Sequence, residues 1–395
     1  MSLLIPPPRH AWQVITAGIC ALVLTVGLAR FAYTPLLPVM RLDAGLTAAG
    51  GGWLATFNYL GYLAGTVLVA RVGDMQLKFR FYRIGLVLAV VSTGLMGTTT
   101  DMATWGVLRF VAGLSSTAGL LLASGLVLNW LLAHQRRPQL GLHFAGLGVG
   151  IAVSGLAAAA MADQLASSQQ WIALGTLAVV FLIPAWAWMP PPAAISRATG
   201  ANAPPPPGRR WRWLLIASYF CAGVGFVVSA TFIVAILVQT PAFAGHGSWV
   251  WVLVGLTAIP STFAWDRLSN RLGLIRALML AYALQATSFV LPLLDGGLWV
   301  GAASAVLFGL TFAGIVSLTL TVVGRHYPHN PAKAMAMATL TLSYGVAQII
   351  APAIAGTLAR DSGSYQGALV LAAIMMVIGF VLLWCMRDDV RSTTG

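Results

Sequence analysis

Twelve long apolar runs, separated by short polar connections, restrict the fold of this chain more than any other feature. A helix crosses the hydrocarbon core of a membrane in about 20 residues, and each run reaches that range. Only 8% of the residues are charged, against about a quarter in soluble domains. We therefore predict an all-α membrane protein with twelve transmembrane helices. The runs are residues 12–40, 47–72, 82–98, 103–132, 140–161, 171–189, 213–237, 248–264, 274–294, 298–323, 334–358 and 365–386.

Basic residues distinguish the two sides of the membrane. Of the 22 Lys and Arg residues, eighteen fall in the terminal segments and alternate connections on one side, and the opposite connections hold only Arg41 and Arg360. Short loops rich in Lys and Arg stay in the cytoplasm, so we predict a multi-pass protein of the inner membrane with both termini cytoplasmic. The net charge of +13 is dispersed over short connections that face anionic lipid, which argues against nucleic acid as a partner.

The proline-rich residues 190–212 divide six runs from six. We predict an N-terminal six-helix bundle in residues 1–189, a cytoplasmic linker in residues 190–212 and a C-terminal six-helix bundle in residues 213–395. The halves share weak similarity, since residues 27–34 align with residues 225–232, and residues 110–114 align with residues 306–310. Such parallel repeats are typical of transporters whose binding site lies between the halves near the membrane midplane.

Several motifs resemble the major facilitator superfamily over the whole chain. The pattern Arg-x-x-x-Gly is present at Arg109, and the superfamily's Asp-Arg loop pair is kept at Asp266 and Arg267. The equivalent loop before Arg71 has Ala70 in place of the Asp. Residues 27–40 and 58–65 further resemble the YbfB/YjiJ branch. The resemblance implies two bundles related by a pseudo-two-fold axis, runs 1, 4, 7 and 10 around a central cavity, and a cytoplasmic gate that includes Arg71, Asp266 and Arg267.

Arg30 and Arg109 are the two basic residues that interrupt apolar runs, and no Asp or Glu lies inside any run. A charge in mid-membrane costs about 2.5 to 3.5 kcal/mol, so intramembrane charges mark functional sites by default. We predict that both arginines lie at similar depth and bind substrate, because a guanidinium suits a carboxylate or phosphate. Alternatively, Arg30 satisfies backbone carbonyls that Pro35 and Pro38 leave without a donor.

Further polar residues within the runs are candidates for the binding site. Helical spacing places Tyr33 on the face of Arg30, and Asn58 and Tyr62 share a face of run 2 with two glycines. Asn58 and Tyr62 line the site or serve as interhelical hydrogen-bonding groups. The second half contributes Tyr344 and Gln348, which are one helical turn apart.

His143 is the histidine within a run, and its ordinary pKa near 6.5 makes it the proton-coupling candidate. A structural role for a lone histidine near a helix end is the alternative. The three cysteines lack metal-binding spacing, and no nucleophile or metal motif of an enzyme is present, so we expect neither cofactor nor metal.

The residues together favour a secondary active transporter that moves a small organic anion or another carboxylate-bearing solute by alternating access. Export or exchange is favoured, since an interior-negative potential opposes anion entry. We expect the protein to be a monomer. Its expected partners are this solute, a candidate co-transported proton and the lipid bilayer. The alternative is a proton-coupled exporter of lipophilic or cationic drugs. Arg109 and the aromatic residues favour it, and the absence of an acidic residue inside the runs argues against it.

Overall fold

The computed structural model describes residues 10–136, 140–162, 164–192, 208–294, 297–326, 331–362 and 364–392, without the side chains of residues 326, 331–335, 362 and 387–392. Over these residues the chain is helical and has no strand. Twelve membrane-spanning helices are present when one bent pair is counted as a single span, which confirms the predicted fold class. They are α1 (Ala11–Asp43), α2 (Ala48–Arg71), α3 (Met75–Thr98), α4 (Met102–Ala133), α5 (Leu140–Met161), α6 (Ser167–Trp188), α7 (Arg209–Leu237), α8 (Gly247–Ala258 with Ser261–Leu272), α9 (Leu274–Leu293), α10 (Gly297–His326), α11 (Pro331–Ser362) and α12 (Gln366–Ser392).

Two helices depart furthest from the predicted boundaries, each for a local reason. α3 begins seven residues earlier than its apolar run, because Asp74 caps the polar first turn by accepting hydrogen bonds from the backbone N–H groups of Gln76 and Leu77. α8 continues to Leu272 and bends by 45° at a break beside Pro260. Proline has no N–H to donate and its ring displaces the preceding turn, which is the usual cause of a sharp bend.

α1 and α7 occupy the centre of the bundle. Nearly every residue in their apolar windows is buried by protein, whereas only about a third of the residues in the windows of α6 and α12 are buried. The two central helices also contact each other directly, because the Thr34 hydroxyl in α1 donates a hydrogen bond to the carbonyl of Ala230 in α7. One of the two helix pairs that the sequence aligned as repeats, runs 1 and 7, therefore meets in the middle.

The two halves meet along two helix pairs, α2 with α11 and α5 with α8. If each helix is replaced by its counterpart six places away in the chain, these two pairs exchange, as a pseudo-two-fold axis requires. Glycines make both approaches close: a methyl group on Gly52 would overlap the carbonyl of Pro352, and one on Gly148 would lie 2.8 Å from the carbonyl oxygen of Gly255. Small residues at helix interfaces allow such backbone contact in membranes.

The interface between the halves is closed at the end that carries the 44–47 connection, which is opposite to the chain termini. There Thr56 donates a hydrogen bond of 2.8 Å to the carbonyl of Ile349, and Arg41 donates one of 3.0 Å to the Tyr365 hydroxyl. Under the predicted topology this is the outer end, an orientation that stays a prediction.

Most of the predicted linker falls between α6, which ends at Trp188, and α7, which begins at Arg209, and its residues 209–212 form the first turn of α7. Residues 193–207 lie outside the described part of the chain. The division into residues 1–189, 190–212 and 213–395 therefore stays a prediction.

Candidate substrate-binding site

The middle of α1 is wound more loosely than an α-helix. Residues Val23–Phe31 form a π-helical stretch, and the next regular backbone bond after it runs from the N–H of Leu36 to the carbonyl of Ala32. Pro35 has no N–H, so the carbonyls between these two segments have fewer backbone donors than they need. π-Helical turns often occur at functional sites.

Arg109 in α4 supplies the missing donors. Its two terminal nitrogens donate hydrogen bonds of 3.1 Å to the carbonyl of Ala29 and 3.2 Å to the carbonyl of Arg30. The guanidinium carbon also lies 4.4 Å from the centre of the Tyr33 ring. The bond to Arg30 confirms that the two arginines lie at similar depth. The alternative in which an arginine satisfies freed carbonyls is realised, but by Arg109 and not by Arg30.

Tyr33 and Asn58 belong to the same network around Arg109. The Tyr33 hydroxyl donates to the carbonyl of Gly51 at 2.8 Å, and the Asn58 amide nitrogen donates to the carbonyl of Arg109 at 2.9 Å. Gly113 lets α4 approach α2, because a methyl group there would overlap the carbonyl oxygen of Asn58. Substrate contacts by Arg109, Tyr33 and Asn58 stay predictions, and the geometry favours a role in holding α1, α2 and α4 together.

Arg30 has a different environment from that of Arg109. Its side chain is only 4% exposed, its Nε has no hydrogen-bond partner, as is also true of Arg109, and the guanidinium forms no ion pair with any residue that the structure describes. Unlike Arg109, Arg30 donates to no described backbone carbonyl. The guanidinium carbon lies 4.4 Å from the ring centre of Tyr59 and 4.7 Å from that of Tyr62. Aromatic faces attract a cation but do not neutralise it. Arg30 is therefore a buried positive charge with hydrogen-bonding capacity to spare.

Tyr59 and Tyr62 lie against this charge, and Tyr219 and Tyr344 of the other half lie near those two tyrosines. We call the four residues the tyrosine cluster. Tyr219 in α7 and Tyr344 in α11 stack with their ring centres 4.5 Å apart. Tyr344 lies within electrostatic range of Arg30, and Tyr219 lies within that range of Tyr62. Tyr62 and Tyr344 are half-buried, whereas Tyr59 and Tyr219 are buried. The structure thus brings the predicted residues Arg30, Tyr62 and Tyr344 together at the junction of the halves.

Aromatic residues continue from the tyrosine cluster into the C-terminal half. The Phe226 ring centre lies 5.9 Å from that of Tyr344, 6.3 Å from that of Phe31 and 5.6 Å from that of Phe312. Phe308 stacks on Phe312 at 5.4 Å. The C-terminal wall of the site is therefore uncharged and aromatic.

Gln348 lies next to the tyrosine cluster along α11, whereas His143 lies in the interior of the N-terminal half. Gln348 is buried one turn further along α11 than Tyr344. His143 is completely buried within the N-terminal half, where its Nε2 forms a 2.9 Å hydrogen bond with the Ser124 hydroxyl in α4 and its Nδ1 has no partner. A methyl group on Gly18 of α1 would overlap the His143 ring. His143 thus contacts two helices that the site is built on, and its role in proton coupling stays a prediction.

The three predicted gate residues are all exposed. Arg71 ends α2, and Asp266 and Arg267 lie in the second segment of α8. Among the residues that the structure describes, none of the three forms an ion pair. Their function as a gate stays a prediction.

Sequence reasoning missed half of the tyrosine cluster. Tyr59 precedes the predicted Tyr62 by three residues, which is a spacing that places both on one helical face. Tyr219 is the one tyrosine of α7, a helix that the superfamily resemblance places at the cavity. Both signals were present in the sequence, but only the tertiary structure shows that Tyr59 contacts Arg30 and that Tyr219 stacks on Tyr344.

Comparison with known proteins agrees with this architecture. A family model described as "Uncharacterised MFS-type transporter YbfB" matches residues 22–384. No functionally curated protein matches the sequence. The nucleoside transporter NupG is similar in structure, with a TM-score of 0.75 and 13% identity over 95% of this chain and 98% of NupG. A bacterial homologue of the human lysosomal transporter Spinster gives a TM-score of 0.67 and 14% identity, over 96% of this chain and 98% of the homologue.

Proposed function

The chain belongs to the YbfB-type family of major facilitator superfamily transporters, and on that premise we propose that it moves a small organic anion, or another carboxylate-bearing solute, by alternating access. It is a transporter and not an enzyme. The proposal adds to the family assignment a charge preference, a site and a favoured direction.

The proposal depends on one observation: Arg30 is a buried guanidinium without a described counter-ion at the junction of the two halves. A desolvated charge of this kind is costly unless something compensates it. The tyrosine cluster provides part of that compensation, and a bound carboxylate completes it through charge-assisted hydrogen bonds to the guanidinium. An anion would bridge the halves there, because the cluster has two residues from each half.

Alternating access would then consist of a rocking of the halves about Arg30. The contacts of Thr56 with Ile349 and of Arg41 with Tyr365 close one end, and they would have to break when that end opens. Arg71, Asp266 and Arg267 are proposed to close the opposite end in the other state. We place the protein as a monomer in the inner membrane with that opposite end facing the cytoplasm.

Export or exchange is the favoured direction. A membrane potential of 100 mV, negative inside, contributes about 2.3 kcal/mol per unit charge against entry of an anion. Import would need a proton or a counter-anion to offset this term. His143 is the proposed proton carrier for that case, since it is the histidine within a span and contacts α1 and α4.

The experiment is transport by the purified protein in proteoliposomes, with a panel of labelled monocarboxylates, organic cations and nucleosides. We expect anion transport, with a loss of at least about 100-fold in Arg30→Ala, because a desolvated charge pair is worth several kcal/mol. Arg30→Lys keeps the charge but lacks the planar fork, so it should recover little.

Arg83 provides the matched control. Its guanidinium lies 4.7 Å from the Phe79 ring centre and 4.6 Å from that of Trp186, so it has comparable aromatic contacts in α3 and α6, outside the tyrosine cluster. Arg83→Ala should leave anion transport within about twofold of wild type. Transport of cations or nucleosides that survives Arg30→Ala, with no anion transport in the wild type, would contradict the proposal and favour the drug exporter or a neutral substrate.

A further inference from the structure

Stacking against the tyrosine cluster leaves the edge of the Arg30 guanidinium as its recognition surface. The aromatic faces of Tyr59 and Tyr62 attract the positive charge without accepting from its in-plane N–H groups, and the Tyr59 side chain also forms a hydrogen bond with Arg30, which leaves the other N–H groups for a ligand. A guanidinium presents those N–H groups as a flat fork that matches the two oxygens of one carboxylate. The N-terminal side of the site can thus bind one carboxylate group and hold it in one plane.

The C-terminal side of the site has a different chemistry. Tyr219, Phe226, Phe312 and Tyr344 form a continuous set of rings, and each of their contacts has ring centres between 4.5 and 5.9 Å apart. Such a wall favours a flat apolar group, because aromatic pairs gain energy beyond the burial of their area. The half-buried rings of Tyr62 and Tyr344 are the members of the cluster that remain accessible to a ligand.

A second carboxylate would find no cation there. Arg109 is the other arginine at this depth, and both of its terminal nitrogens already donate to backbone carbonyls. No described residue of the aromatic wall carries a charge. A dicarboxylate would therefore have one of its charges buried against aromatic faces, which repel anions.

From these three observations we infer that the substrate is an aromatic monocarboxylate, with its carboxylate on Arg30 and its ring against Tyr344 and the neighbouring wall. The inference rests on the proposed function and specifies the substrate class of the same site. It distinguishes this solute from aliphatic monocarboxylates, dicarboxylates and neutral aromatic compounds.

Calorimetric titration of the protein in lipid nanodiscs tests the inference with three probes: 3-phenylpropionate, 3-cyclohexylpropionate and benzene-1,4-dicarboxylate. The first two share the charge and chain length and differ in the aromatic ring. We expect the phenyl compound to bind about five- to tenfold more tightly than the cyclohexyl compound. Tyr344→Phe should keep this preference because it keeps the ring, and Tyr344→Leu should abolish it.

The outcomes separate the two levels of the argument. Equal affinity for the phenyl and cyclohexyl compounds, or tighter binding of the dicarboxylate, overturns the inference and leaves the proposed function intact if binding still requires Arg30. Binding of no anion, or anion binding that is unchanged in Arg30→Ala, overturns the proposed function itself. Tyr344→Phe retains the ring and the packing, so its result remains interpretable if Tyr344→Leu does not fold.

Discussion

The role of Arg109 leads to a prediction that can be tested by a double-mutant cycle. Arg109 donates to the Arg30 carbonyl at 3.2 Å in the segment where Pro35 provides no N–H. Pro35→Ala supplies an N–H that reaches the Arg30 carbonyl in the five-residue register of the π-helical stretch, so Arg109→Met should cost less stability in the Pro35→Ala background than in wild type. The cycle cancels the cost of burying the guanidinium and its contact with Tyr33, because both terms occur in both backgrounds.

The expected coupling is about 1 kcal/mol. Interhelical hydrogen bonds in membranes average about 0.6 kcal/mol and reach about 1.7 kcal/mol, and a charged donor belongs toward the upper part of that range. One of the two bonds of Arg109 is replaced by the restored N–H, whereas the other one is unaffected. The coupling should therefore correspond to a single bond.

The measurement is the free energy of unfolding of the four proteins by titration with sodium dodecyl sulfate in mixed micelles. Pro38→Ala is the matched control, because Pro38 lies in the same helix almost one turn beyond Pro35 and no described contact joins it to Arg109. Its cycle with Arg109→Met should be additive. Additive effects in the Pro35 cycle, or equal coupling in both cycles, would refute the assignment of Arg109 as the donor to a proline-interrupted segment.

Three further predictions concern other parts of the bundle. Gly113→Ala should lower the free energy of unfolding by about 1 to 3 kcal/mol, because the added methyl group overlaps a backbone carbonyl of α2. Gly125→Ala is the control, because its methyl group meets open space, and it should raise the free energy of unfolding by up to about 1 kcal/mol. Thermal unfolding measures both variants. Tyr365→Phe removes the hydroxyl that accepts from Arg41 at the closed end. The distribution of distances between two spin labels at that end, one on each half, should therefore gain a longer component. An unchanged distribution would exclude this hydrogen bond as a latch. His143→Gln should abolish the accumulation of substrate that a pH gradient drives and should preserve substrate exchange. Substrate accumulation at the wild-type level would leave His143 with a structural role.

Much of the fold followed from the sequence, and the site followed only in part. The twelve spans were predicted because each apolar run is long enough to cross the membrane, and Tyr62 and Tyr344 were named with Arg30. The difference between Arg30 and Arg109 was not predictable, because both residues give the same signal, an arginine in an apolar run. Tyr59 and Tyr219 were missed because tyrosines are common at helix interfaces and become a cluster only when α2, α7 and α11 converge.

By itself, the sequence determined that this chain spans the membrane as helices and contains two unneutralised arginines there. Lipid offers the backbone no hydrogen-bond partners, so a long apolar segment has hardly any alternative to a helix, and the constraint acts locally on each segment. The tertiary structure decided which arginine is satisfied. That outcome depends on where the π-helical stretch before Pro35 leaves carbonyls without donors, and on how closely Gly113 lets α4 approach α2. These are contacts between segments far apart in sequence, and no local pattern specifies them.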